Sequence, residues 1–213
     1  MGKYKLTYFD LRGRAEVARL MFAVAGQEYE DCRIDFKDWA ALKEELQPPK
    51  KFAFGALPVL EVEGQGMIPQ SAAICYYLAQ EFGLAGKNSW ETARCVALSE
   101  GLSDLFHKDE NVGKHLSEKD PVEKERLFKL IYEQELGVFL DRYTHFLKDN
   151  GGQFFVGDGL TWTDLLLFHI LEGIHSYHPS VFDKHPELGE FVKRVAALPA
   201  VKQWLDKRPN NPF

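Results

Sequence analysis

Cysteine is scarce in this chain of 213 residues: there are three, Cys32, Cys75 and Cys95, far apart and with no Cys-x-x-Cys pair. That excludes a disulfide framework and an intrinsic dithiol redox site, and each reads as a small buried apolar residue. An excess of positive charge is missing too. Lys and Arg number 26 against 32 Asp and Glu, for a net charge of -6 and a pI near 5.7. No basic cluster exceeds Lys50-Lys51 or Lys207-Arg208, so a nucleic-acid partner has no electrostatic footprint. No apolar run approaches the ~20 residues that a membrane helix needs. Met1-Gly2-Lys3 leads straight into the first strand without a signal peptide, and the expectation is a soluble, cytoplasmic protein with no membrane partner. The seven histidines are scattered. The closest pair, His175 and His178, has no acidic or cysteine partner at ligand spacing, so no metal site is expected.

What is present is ordinary globular composition, 45% apolar and 27% charged, in a length that suits one large domain or two small ones. The chain is organised around residues 4–16. Tyr4, Leu6 and Tyr8 alternate with Lys5 and Thr7, the period of a strand with one face on a core. From Arg14, Val17, Leu20, Met21 and Val24 recur at helical spacing. Strand thus becomes helix within about five residues. A tyrosine there keeps its ring in the core and points its hydroxyl at the first amides of the helix. The helix N-terminus and Arg14 make the spot electropositive, which favours chemistry on a thiolate or phenolate. Read alone, Tyr8 could equally be a packing aromatic.

Gly26 ends the helix and 29–34 reads as a second strand, parallel to the first. Trp39 and Lys43 share one face of a short helix over 38–46, an indole donor beside an ammonium, suited to gripping a small carboxylate. The alternative is a lysine stem lying on an exposed indole. After a loop over 47–56, Leu57-Pro58 opens a strand. Proline cannot donate to the sheet, so the Leu57 backbone is free to pair with an extended peptide, and a cis bond fits this place. A hairpin turn at 63–66 leads to Pro69-Gln70-Ser71 and a helix to Phe82. Ser71 is the expected N-cap, and the bare amides behind it suit a carboxylate to which Gln70 can add a bond.

After about residue 84 no strand pattern returns. Ser89 is expected to cap a helix running to about His115, with Ala93, Ala97, Gly101 and Leu105 on one face. Phe128, Tyr132, Leu136, Phe139, Tyr143 and Phe146 step at helical spacing and form a core stripe. Thr161 to Asp164 reads as a structural capping box with Asp in place of Glu. Glu100 and Asp104, four apart, repel one another, which is tolerable on a solvated face and also suits a site that receives an ammonium group.

Tyr8, Gly13-Arg14-Ala15-Glu16, Asp38-Trp39, residues 57–62, Gln70-Ser71-Ala72-Ala73-Ile74 and the box at 161–164 occur in one order at domain-sized spacing. On these residues the chain resembles the cytosolic glutathione transferases over nearly its whole length, and most of all the sigma class, which includes the haematopoietic-type prostaglandin D synthases. The resemblance implies a thioredoxin-like α/β N-terminal domain, 1–83, an all-helical C-terminal domain, 84–213, and a homodimer. It implies glutathione as co-substrate and an apolar electrophile as the second substrate. Tyr8 would donate to the glutathione sulfur with Arg14 in support, and Trp39 and Lys43 would hold the glycyl carboxylate. The backbone at Ala56 and Leu57 would pair with the cysteinyl segment, Gln70 and Ser71 would take the γ-glutamyl carboxylate, and Asp104 of the other subunit would meet the amine. Phe9, Arg14 and Phe106 would line the electrophile site. Peroxidase or prostaglandin isomerase activity is a narrower version of the same function, and a ligand-sequestering or lens-crystallin-like protein is the competing one.

Three departures qualify the likeness. The loop over 47–54 is about four residues longer than in the prostaglandin synthases, and its Lys50 and Lys51 could supplement Lys43. Ala56 stands where lysine is frequent, which leaves only backbone contact. The acidic cluster with which some relatives bind a divalent cation is reduced to Glu100 and Asp104, so metal activation is not expected.

Overall fold

The computed structural model describes residues 3–46, 54–108, 114–115 and 118–211, with the side chains of 103–108, 134 and 135 outside the description. Lys50 and Lys51, and the side chains of Asp104 and Phe106, therefore lie outside the described residues.

The chain forms two compact units, one of residues 1–85 with 195–213 and the other of 86–194. The expected boundary at 83/84 put all of 84–213 in the helical domain, but the last segment packs with the first unit. The segment buries Val201 and Trp204, Trp204 Nε1 donates to Glu16 Oε1 at 2.8 Å, and Arg208 Nη1 reaches the same oxygen at 3.1 Å.

In the first unit, β1 (Tyr4–Phe9), β2 (Glu30–Ile34), β3 (Val59–Val62) and β4 (Gly66–Pro69) form a sheet of order β2-β1-β3-β4. β1 pairs parallel with β2, as the alternation of strand, helix and strand requires, and antiparallel with β3, which pairs antiparallel with β4. β1 is central and covered on both faces, since Thr7 is buried along with Tyr4, Leu6 and Tyr8. Helix α1 (Glu16–Ala25) buries Val17, Leu20, Met21 and Phe22 and ends at Gly26, whose φ of 61° is the left-handed conformation glycine adopts freely. A short α2 (Trp39–Glu45) follows β2, and α3 (Ser71–Phe82) follows β4.

The second unit is helical: α4 (Ser89–Lys108), α5 (Pro121–Ile131), α6 (Gly137–Asp149), α7 (Trp162–Tyr177) and α8 (Pro186–Ala196), with the division between units falling inside α8. α9 (Pro199–Lys207) belongs to the first unit. The cap of α4 is Asn88 rather than Ser89, because the Asn88 Oδ1 accepts the amides of Trp90 and Glu91, each at 3.0 Å. The face that α4 buries is Cys95, Leu98, Ser99 and Leu102, whereas Ala93, Ala97 and Gly101 are exposed.

The aromatic stripe is broken by a π turn, Tyr132–Leu136, between α5 and α6. Here the Gly137 amide reaches back to the Tyr132 carbonyl. A Cβ at 137 would lie 2.9 Å from that oxygen, so the side-chain-free residue admits the wider turn. Leu136, Phe139 and Tyr143 are buried while Phe128, Tyr132 and Phe146 are half-buried. The stripe is thus a core face on α6 and a margin on α5.

The Thr161 box is formed. Asp164 accepts from the Thr161 amide at 2.8 Å, the Thr161 hydroxyl at 2.6 Å and the Phe155 amide at 2.8 Å. Burial outweighs these bonds and pushes its carboxyl up to about 6.

Candidate functional site

The sheet register brings the sequence-predicted residues of the first unit to one end. β1 finishes at Phe9, which pairs with Ile34 at the end of β2, so 36–39 leave the sheet beside it. Thr7 pairs with Val59, the first residue of β3, so Leu57 and Pro58 stand just outside the ladder next to Tyr8 and Phe9. Val59 pairs with Pro69, so Gln70 and Ser71 emerge there as well. One antiparallel strand among three that run the other way makes this convergence, because the start of β3 then coincides with the ends of β1, β2 and β4.

Tyr8 is only 8% exposed, and its hydroxyl oxygen accepts the Arg14 amide at 3.3 Å. A phenol whose oxygen already accepts keeps its proton for a second partner. Arg14 itself is exposed, so its described contact with Tyr8 is through the main chain. Between them, Gly13 has φ 40°, and a Cβ there would meet Tyr8 Oη at 2.8 Å and Leu11 Cδ1 at 2.6 Å. The turn closes onto the hydroxyl only because residue 13 has no side chain.

Aromatic rings line the next stretch. Phe9 lies 5.7 Å from Tyr8, stacks on Phe36 at 4.4 Å and meets Trp39 edge-on at 5.5 Å. Trp39 and Leu57 also pack on the same small core of Leu46 and Val59. Lys43, one turn further along α2, is exposed. The Leu57-Pro58 peptide is cis. Ala56 is exposed just before it.

At the head of α3 the structure differs from expectation in one respect. Gln70, not Ser71, occupies the N-cap position, and no side chain caps the helix there. Gln70 has φ 74°, the one non-glycine residue with a positive φ among the described residues, a strained conformation that such sites tolerate when the surroundings over-determine it. Its carbonyl accepts the Ile74 amide at 2.9 Å, which leaves the amides of 71–73 pointing out of a twelve-residue helix. That is an anion site by geometry and dipole.

Sequence reasoning missed the support behind Tyr8. Glu16 and Arg19 are fully buried on α1. Arg19 Nη1 donates to the carbonyls of Leu11 at 2.8 Å and Arg12 at 3.3 Å, and pairs with Glu16 at 3.3 Å. Its Nε donates to Asp31 at 3.1 Å, and its guanidinium lies 6.0 Å from the Tyr8 ring. Asp31 is shared with Arg33 at 2.9 Å, and Arg33 reaches Asp10 at 3.1 Å. The available signal was an acid and a base three apart inside an otherwise apolar helical run, where unpaired charges are not tolerated.

Among the described residues no three His, Cys, Asp or Glu gather as a metal would need.

A profile described as the N-terminal domain of glutathione S-transferase matches residues 4–80, and one for the C-terminal domain of the same family matches 107–208. The chain is 39% identical over 213 residues to a probable glutathione S-transferase 5 of Caenorhabditis elegans, covering 100% of both. It is 39% identical over 209 residues to a hematopoietic prostaglandin D synthase of Gallus gallus, covering 98% of both. Among solved structures, a Nu-class enzyme from Haemonchus contortus superposes with a TM-score of 0.86 at 37% identity, covering 100% of both chains.

Proposed function

The chain belongs to the glutathione S-transferase family, and from that premise we propose that Tyr8 holds the sulfur of glutathione as a thiolate for attack on an apolar electrophile. Glutathione is the co-substrate and the reaction is a transfer; the thioredoxin-like and helical halves are those of the family.

The observation that carries the reading is the Tyr8 hydroxyl. Its oxygen is engaged by the Arg14 amide, and its proton is left for a ligand at the end of the sheet where Leu57, Gln70 and α3 converge. A free thiol with pKa ~8.5 is only a few per cent ionised at pH 7. Lowering it by about two units takes roughly 2.7 kcal/mol, within reach of one or two charge-assisted hydrogen bonds and the local field. The thiolate then forms a carbon–sulfur bond with the electrophile, and the leaving group departs with its electron pair, or the electrophile takes up a proton where it is an acceptor olefin.

Each remaining residue has a part in holding the tripeptide. The amides of 71–73 and the Gln70 and Ser71 side chains take the γ-glutamyl carboxylate. The backbone at Leu57 and Ala56 pairs with the cysteinyl segment, which needs an unladdered main chain next to β1. Trp39 and Lys43 hold the glycyl carboxylate. Phe9 and Arg14 border the electrophile, with Phe106 as the helical unit's contribution. A homodimer completes the site, with Asp104 of each subunit meeting the γ-glutamyl amine bound by the other. The supply of glutathione and the absence, among described residues, of a helix long and apolar enough to cross a membrane support action in the cytosol. Within the family, both the sigma-type prostaglandin synthases and the nematode Nu-class enzymes are neighbours, and peroxidase or prostaglandin isomerase activity is the narrower version of the proposal.

The test is titration of the glutathione thiol on the protein by its thiolate absorbance, alongside turnover of a chlorodinitrobenzene-type substrate. A thiol that ionises near pH 6 to 7 on the wild-type chain and near its free value on Tyr8→Phe supports the role. Equal titration in both moves it to another residue. Glutathione binding without turnover of any electrophile would favour the ligand-sequestering reading.

A further inference from the structure

Tyr8 is placed by a loop that ends in a single turn, Gly13–Ala15, closed by the Glu16 amide on the Gly13 carbonyl. Between β1 and α1 the main chain makes a tight Leu11 N–H to Phe9 carbonyl bond at 2.8 Å, and the Asp10 amide reaches Ile34 at 3.2 Å. The loop is also held from outside. The carbonyls of Leu11 and Arg12 are fixed by Arg19, and Arg19 by Glu16 Oε2. The other oxygen of Glu16 is held by Trp204 and Arg208, 188 and 192 positions away. At the opposite end of the loop, Asn211 Nδ2 donates to both the carbonyl of Asp10 at 3.0 Å and its Oδ1 at 2.6 Å.

We propose that residues 204–211 form a strut that positions Tyr8, acting through Glu16 and Arg19 on one side of the loop and through Asp10 on the other. This rests on the reading of Tyr8 as the group that stabilises the glutathione thiolate. Trp204, Arg208 and Asn211 are positioning residues; their described bonds are to the loop's supports and not to Tyr8. The packing between α1 and α9 leaves a cleft of about 460 Å³ lined by Arg19, Phe22, Tyr29, Gln203, Trp204 and Lys207. Val201 and Trp204 are buried, and beside that apolar contact the strut is fastened by discrete polar bonds that single substitutions can loosen. A misplacement of the order of 1 Å costs up to about 100-fold in rate, so a strut that slackens by a fraction of that has a measurable effect.

The experiment uses the full-length chain and three variants: Asn211→Ala, Arg208→Ala and Arg208→Lys. Asn211 is half-buried and its two bonds to Asp10 lie at the surface, so its variant folds even if loss of the Arg208 cation beside buried Glu16 proves too destabilising. For Asn211→Ala and Arg208→Ala the glutathione thiol on the protein is expected to titrate about half a unit to one unit higher than on the wild type. Turnover at pH 6.5 should fall about three- to tenfold, recover at a pH above both thiol values, and be restored in large part by Arg208→Lys. Glutathione affinity should change less than about twofold, since the tripeptide's other contacts are untouched. The proposal is overturned if the thiol titrates as in the wild type in both alanine variants, or if turnover falls by the same factor at every pH in step with the thermal midpoint. A wild-type chain that leaves the thiol at its free value overturns the reading of Tyr8 itself, and the strut with it.

Discussion

Each unit buries a polar cluster, and the two are built on opposite plans. In the helical unit, Asp164 gathers the Thr161 amide, the Thr161 hydroxyl and the Phe155 amide, all within nine positions of itself. In the sheet-containing unit, Glu16 and Arg19 gather Trp204, Arg208, Asp31 and two loop carbonyls, across as many as 192 positions. The first cluster starts a helix and folds the chain before it. The second holds the loop that carries the Tyr8 hydroxyl. The local device can serve stability alone, whereas the proposed strut would make the long-range one serve geometry as well.

The sharpest way to break this contrast is Glu16→Ala. It leaves Arg19 without its buried carboxylate and removes the acceptor of Trp204 and Arg208, so about 3 to 5 kcal/mol of unfolding free energy should go. Denaturant unfolding measures it, and turnover should fall alongside. A loss of stability with turnover intact would reduce the second cluster to the plan of the first. Next comes Tyr8→Phe, expected to lower turnover about 10- to 1000-fold, as removal of a donor aimed at developing charge does. Its unfolding free energy should move by no more than about 1 kcal/mol, since only one long hydrogen bond is lost.

Asp164→Ala should cost about 2 to 3 kcal/mol, because two buried amides lose their acceptor, while turnover per folded molecule stays unchanged. Its pH dependence sharpens the comparison further. The folded carboxyl titrates at about 6, above the ~3.9 of an unfolded aspartate, so the folded state binds the proton more tightly. This contribution is full below about pH 4 and is lost as pH rises through about 6. Asp164→Asn should remove that decline from the stability profile. A profile of unchanged slope would show that the carboxyl titrates normally. The smallest effect is expected at the solvent-exposed pair of Arg126 and Glu123, where Glu123→Ala should shift neither the unfolding midpoint nor turnover measurably, despite bonds of 2.6 and 2.7 Å.

The same contrast explains what was legible in the sequence. β1, α1 and the Tyr8 turn show in the alternation and the switch of period. Thr161 and Asp164 show because their partners are close in sequence. The position of Leu57-Pro58 followed from proline's missing donor. Helix starts were displaced by one, with Asn88 and Gln70 at the positions assigned to Ser89 and Ser71. Residue preference alone does not distinguish an N-cap from its neighbour, and a glutamine with a positive φ carries no compositional mark. The π turn was hidden because a one-residue slip at Gly137 still leaves aromatics near helical spacing. Ala93, Ala97 and Gly101 do share one face of α4, but spacing alone did not say that this face is exposed and that Cys95, Leu98, Ser99 and Leu102 are the buried one. Trp204, Arg208 and Asn211 were invisible as partners of the Tyr8 loop, since the fold alone brings those ends of the chain together.

A unit made from residues 1–85 and 195–213 is interrupted by everything the ribosome makes in between. Its strands can pair early in synthesis, but the Tyr8 turn receives Trp204, Arg208 and Asn211 only after the whole helical unit has been made. A nascent chain therefore carries its phenol more than a hundred residues before it carries the groups that brace the loop around it, and the first unit cannot be completed until the second has been synthesised.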